Sequence, residues 1–223
     1  AAQVVGVDKV EIDTFADDSF SVHMVQHMLI AFVAAPLLVL AAPGTLLLRA
    51  SPPRLRRGIL LPILHGRVVR ALTFPAFTWA FFAIVMWAAH FTPLFELALE
   101  SEAIHEAEHL LFLASALLFW LTAIGRDPVG WRLDSSGRFG YLLLAMPVNS
   151  LLGLVIVAQV DVLYARYAVA LGDRALDDQR LAGTIMWLGA DMLMVVFLGL
   201  LVARAVSREK QRMRRRAGSP TTG

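Results

Sequence analysis

Five of the six histidines fall into three groups whose types and spacing suit metal binding: His23 and His27, His90, and His105 and His109. Two of these groups are i,i+4 pairs. On a helix that spacing stacks both imidazoles on one side about a turn apart, so each pair can grip a single metal ion. The chain has no cysteine, which excludes a disulfide framework and a thiolate site and leaves imidazole, carboxylate and thioether as ligands. Met24 and Met28 adjoin the first pair and Met86 lies one turn before His90, so sulfur is available to a soft cation. Met24 and Met28 each sit about 100° round the helix from the neighbouring histidine, an angle that also fits side chains facing lipid. Histidine with methionine, facing an oxidising compartment, suits copper, in the cuprous form; zinc is the alternative.

Two rival chemistries use the same residues. His105 to His109 reads HEAEH, a literal HExxH, in which two ligands and an intervening glutamate, here Glu106, serve a zinc protease. A second histidine pair and His90 exceed what a three-ligand hydrolytic zinc requires. The other rival is a haem with axial histidines from two helices, His23 or His27 opposite His109, which leaves histidines over.

The elements that must position these side chains are membrane spans. The 223 residues are 58% apolar with mean hydropathy +0.65, and five apolar stretches reach the roughly 20 residues that cross a bilayer. They run from Val22 to Leu48, Leu72 to Leu94, Ile104 to Ile124, Phe139 to Gln159 and Leu181 to Val206. Backbone groups in lipid must be satisfied within each segment, which predicts an all-α, polytopic membrane helical bundle with five transmembrane helices.

Charge predicts the orientation. Sixteen of the twenty basic residues lie in the connections after the first and third spans and in the C-terminal tail, while fourteen acids fall on the other side. Short arginine-rich loops stay cytoplasmic, so the N-terminus is expected outside and the C-terminus inside. The net charge of +2 and pI near 9.4 average two unlike surfaces; a nucleic-acid partner is not implied, and the basic tail is expected to meet anionic lipid. Three regions follow: an extracytoplasmic segment 1–20, a membrane domain 21–207 and a basic cytoplasmic tail 208–223, expected to be frayed. Residues 1–20 lack a signal-peptide layout, so an outside N-terminus leads to the expectation that a signal or further spans preceded Ala1.

This topology places all five clustered histidines at the outer end, whereas His65 sits in a cytoplasmic loop with no role expected beyond the surface. Polar groups converging on one layer of a membrane need a compensating partner, and a metal is the simplest. Asp191 lies near the middle of the fifth span, as a functional acid or as a packing residue paired with Asn149. Asp178 and Gln179 are expected to cap the fifth helix or to help a metal enter. Pro147 and Gly153 make a kink in the fourth span an expectation.

Four segments in order, SVHMVQHMLIAFVAAPLLVLAAP at Ser21 to Pro43, HFTPLFELAL at His90 to Leu99, HEAEHLLFLASALLFW at His105 to Trp120 and DQRLAGTIMW at Asp178 to Trp187, resemble the CtaG family of membrane assembly factors for caa-type cytochrome c oxidase. The resemblance covers about Ser19 to Arg208. It implies a protein that helps build the copper-containing centre of a terminal oxidase in the bacterial cytoplasmic (inner) membrane by binding copper and handing it over. Family residues land on His23, His27, His105, His109, Gln26, Asp178, Gln179 and Trp187.

The expected site is therefore His23, His27, His105 and His109 around copper, with His90 as a fifth ligand or gate and Glu106 orienting from outside. Met24, Met28, Met86, Asp178, Gln179 and Asp191 are the additional candidates. Neutral imidazole is needed to bind a metal, so protonation below about pH 6 should weaken it. The expected partner is the copper-containing oxidase subunit; the residues do not identify a copper donor.

Overall fold

The computed structural model describes residues 19–125, 128 and 131–217, and all its regular elements there are helices. Most of the proposed segment 1–20 and residues 218–223 of the tail lie outside the described residues. Four helices are long and apolar enough to cross a membrane, Phe20–Ala50, Glu102–Ile124, Ser135–Val157 and Ala165–Gln211. A pair of helices, Pro75–Phe91 and Leu94–Glu100, is long and apolar enough to count as a fifth candidate span only if taken together, and it is bent by 65° at the break between them. Leu37, Ile84, Leu144 and Val195 are exposed around the outside, as side chains facing lipid would be. This is a multi-pass membrane protein.

In chain order, α1 (Phe20–Met28) passes through a π-helical turn, Leu29–Ala34, into α2 (Ala35–Leu40). Pro36 explains the widened turn: it has no N–H to donate and its ring crowds the carbonyl four residues back, so the preceding turn opens and the Ala35 N–H reaches Ile30 O. The turn also frees Ala31 O to accept from Trp120 Nε1 at 2.8 Å. Short helices α3 (Pro43–Ala50), α4 (Pro53–Leu55), α5 (Leu61–Leu64) and α6 (Arg67–Leu72) then lead to α7 (Pro75–Phe91).

The second span is thus shorter than the expected Leu72 to Leu94. Thr92 precedes Pro93 and is extended at φ −121°, ψ 167°, because the proline ring disfavours helix at the residue before it. After this break α8 (Leu94–Glu100) turns across the end of the bundle. The long α9 (Glu102–Ile124) ends at Gly125, whose left-handed φ of +58° suits a residue without Cβ. The other elements are α10 (Ser135–Val157), α11 (Ala165–Leu171) and α12 (Ala175–Ala217).

Pro147 lies inside α10 without interrupting it. Gly153 has a different role from the expected kink: a Cβ there would lie 2.7 Å from Gly183 O and 2.8 Å from Trp187 Cβ, and a Cβ on Gly183 would lie 2.8 Å from Gly153 O. The two glycines let α10 and α12 cross at backbone distance, the usual function of small residues between membrane helices. At 1.5 Å per residue the 43 residues of α12 span about 65 Å, roughly twice a hydrocarbon core. The arginine-rich stretch from Arg208 to Ala217 continues this helix.

Candidate metal centre

The start of α1 and the start of α12 are tied together at the end of the bundle where the histidines lie. Asp178 accepts from the Ser19 hydroxyl at 3.0 Å, from the Ser21 N–H at 3.2 Å and from the Ser21 hydroxyl. It therefore braces the start of α1, satisfying the Ser21 N–H that has no partner within that helix, beside Ser19, whose hydroxyl caps the Val22 N–H. Gln179 also braces a neighbour: its Oε1 accepts from Leu163 N–H at 2.7 Å and its Nε2 donates to Asp161 O at 3.2 Å.

With α1 held in register, its histidine pair faces the pair on α9. One ligand atom from each of His23, His27, His105 and His109 lies within 4.8 Å of the other three. His23 Nε2 and His27 Nε2 are 3.0 Å apart; tetrahedral ligands at metal–nitrogen bonds of about 2.0–2.1 Å stand about 3.3 Å apart. Ring centroids are 4.4 Å apart within the α1 pair, 4.2 Å within the α9 pair, and 5.0 Å and 5.2 Å across from His23 to His105 and from His27 to His109. His23 and His27 are 1% and 2% exposed, and His23 Nδ1, His27 Nδ1 and His105 Nε2 are buried without hydrogen-bond partners. A buried polar atom left unpaired costs about 1–3 kcal/mol, and four converging neutral imidazoles can offer lone pairs to a cation, so the donor set fits a metal.

His90, on α7, stands outside this quartet. Its ring is 6.4 Å from His27 and its Nδ1 lies 2.7 Å from Met86 O. A carbonyl only accepts, so Nδ1 carries the proton and Nε2, buried and unpartnered, keeps its lone pair. A cavity of about 280 Å³ abuts His90, bounded by Thr92, Pro93, Glu96, Leu163 and Tyr164. Tyr164 donates to His90 O at 2.9 Å.

The bend at Pro93 lays Phe95 over the quartet. Phe95 is fully buried, 5.0 Å from His23, 6.3 Å from His27, 5.9 Å from His90 and 4.2 Å from Tyr164. Phe112 closes the inner side, 4.4 Å from His27.

The acids are arranged differently from the expectation. Glu106 is exposed, pointing away from the quartet, because one residue along a helix turns the side chain by 100°. The buried carboxylate is Glu108, 2% exposed with neither oxygen hydrogen-bonded. Both glutamates stand about 80° round α9 from the histidine face, on opposite sides, so helix periodicity does not distinguish them and packing against the neighbouring helices decides which is buried. Asp191 pairs with Ser150, whose Oγ is 2.6 Å from Asp191 Oδ2, and not with Asn149. Met24, Met28 and Met86 are buried in the core rather than facing lipid, and Met28 reaches toward Gly189 on α12. His65 is exposed, its Nδ1 3.0 Å from Leu61 O, as expected of a surface residue.

The model of the cytochrome c oxidase caa3 assembly factor family matches residues 4–208. The chain is 30% identical over 210 residues to uncharacterized proteins of Mycobacterium bovis and Mycobacterium tuberculosis, covering 90% of this chain and 32% of each relative. It is 28% identical over 204 residues to one of Mycobacterium leprae, covering 86% of this chain and 31% of that relative. The chain spans about a third of the length of the curated relatives it matches. No solved structure matches.

Proposed function

Because the chain belongs to the cytochrome c oxidase caa3 assembly factor family, we propose that it takes up cuprous ion at His23, His27, His105 and His109 and passes it to a copper-containing subunit of the oxidase, from the outer side of the bacterial cytoplasmic membrane. The observation that carries this reading is the convergence of four imidazoles, two of them almost fully buried, on a region small enough for one ion.

Copper in the cuprous form is favoured over zinc by charge. Four neutral imidazoles contribute no charge, and the cost of burying an ion grows as the square of its charge, so a monovalent cation is the cheaper cargo in a low-dielectric bundle. Glu108, the buried acid on α9, is the group assigned to balance the single positive charge, losing its proton as the cation binds. The hydrolytic alternative is less well served. Four protein ligands complete a tetrahedral set without a position for the attacking water, and Glu106 is exposed. We assign His90 the role of gate: its ring is 6.4 Å from His27, it lines the cavity beside Tyr164, and its unpartnered Nε2 is the atom that would receive the ion in transit.

The test is elemental analysis of the purified protein after loading with copper or zinc under reducing conditions, beside a His27→Ala/His109→Ala variant. About one copper per chain, lost in the inserted variant, is expected. Stoichiometric copper retained by the variant overturns the site, and zinc held in preference to copper moves the reading to the HEAEH hydrolase.

A further inference from the structure

At the end of the bundle opposite the histidines, four arginines ring a cavity of about 400 Å³, a size typical of small-molecule sites. They are Arg132, Arg138 on α10, and Arg204 and Arg208 on α12, and no carboxylate lines the cavity among the described residues. Arg138 is already engaged. Its guanidinium occupies the space that a side chain on Gly125 would fill, and it donates to Ile124 O at 2.7 Å and to Leu133 O at 3.0 Å, closing the end of α9. Arg132 and Arg208 are near enough to repel it, and no hydrogen bond or ion pair engages Arg132, Arg204 or Arg208 among the described residues.

Asp134 offsets part of the charge on Arg138, but it does not line the cavity. Hydrogen bonds from the Gly137 N–H at 2.7 Å and the Ser136 hydroxyl at 2.9 Å engage it at the start of α10 and hold its carboxyl below the ordinary carboxylate range. Below the arginines the wall becomes apolar, with Trp120, Leu142, Phe197 and Leu200; Trp120 and Phe197 are in ring contact at 4.4 Å.

Like charges gathered round one cavity call for an anion, and the apolar floor calls for a ligand that is not wholly hydrated. We propose that this cavity binds the phosphodiester headgroup of an anionic phospholipid, with Arg132, Arg204 and Arg208 on the phosphate and the first acyl carbons against Trp120, Leu142 and Phe197. A free phosphate shares the headgroup chemistry but gains nothing from the floor. Guanidinium suits the oxygens of a phosphate, which it can hold in bidentate fashion, and basic pockets between helices are a recurring means of lipid recognition. The site is separate from the histidines and does not depend on their role.

The experiment is native mass spectrometry of the full chain in detergent, titrated with phosphatidylglycerol, phosphatidylcholine or inorganic phosphate, beside an R132Q/R204Q/R208Q variant that leaves Arg138 in place. One phosphatidylglycerol should bind and phosphatidylcholine should not. Each arginine removed should weaken binding about fivefold, so the triple variant loses roughly a hundredfold, and added salt should weaken the wild-type complex. A melting curve of the variant matching wild type reports that it is folded; if the triple variant fails to insert, Arg204→Gln alone and the salt series decide. Equal binding of the two lipids, undiminished binding in the variants, or displacement of phosphatidylglycerol by equimolar inorganic phosphate overturns the proposal.

Discussion

Phe95 offers the sharpest test of how the site holds and releases its cargo. It is fully buried and in ring contact with His23, His27, His90, Phe20 and Tyr164, so it couples α8 to the metal centre without offering a ligand atom. Phe95→Ala removes a buried ring, which typically costs about 3–5 kcal/mol. That loss falls on the packing that keeps α8 seated over the quartet. If release requires α8 to lift, destabilising the seated state by about 3 kcal/mol raises the open fraction, and with it the release rate, by roughly a hundredfold. All four imidazoles remain, so stoichiometry should stay near one copper per chain. The assay is stopped-flow transfer of cuprous ion from the loaded protein to a chromophoric chelator, with a melting curve on the same sample. A melting temperature lowered as expected, but a release rate within twofold of wild type, would refute the idea that α8 covers the exit. Loss of bound copper would show instead that Phe95 shapes the quartet itself.

Other predictions follow from individual contacts. Asp178→Ala should leave the Ser21 N–H and the Ser19 and Ser21 hydroxyls without their acceptor, costing about 1–2 kcal/mol, visible as a lower melting temperature together with weaker copper binding because His23 is carried on the same helix. Glu108→Gln should weaken cuprous affinity by at least about tenfold through loss of the balancing charge, whereas Glu106→Gln should leave a competition titration unchanged. Gly153→Leu should separate α10 from α12, since even a Cβ meets Gly183 O at 2.7 Å; overpacking of this kind costs about 1–3 kcal/mol or more and should appear as thermal destabilisation in detergent.

The membrane-spanning helices and the two histidine pairs were legible because each depends on a single periodic property. A bilayer imposes length and apolarity, and 3.6 residues per turn places His23 with His27 and His105 with His109 on one face. The second span was read as one piece because hydropathy runs through Phe91 into Leu94, although Pro93 marked the break. Glu106 drew attention through a five-letter motif, and the burial of Glu108 was not legible, since both glutamates stand at the same angle from the histidine face and only packing separates them. Trp120 on Ala31 O and Tyr164 on His90 O were not legible, since each joins residues far apart in the chain.

The sequence by itself determined an all-helical chain with apolar spans, the pairing of histidines along two helices and the absence of thiolate ligands. Only the tertiary structure decided that the two pairs converge, that His90 stands beside the quartet, that Phe95 covers it and that Glu108 is the buried acid. The physical reason is that periodicity sets the angle of a side chain about its own helix axis. The register and crossing of one helix against another are set by contacts between distant residues, such as Asp178 against Ser19 and Ser21 and Gly153 against Gly183.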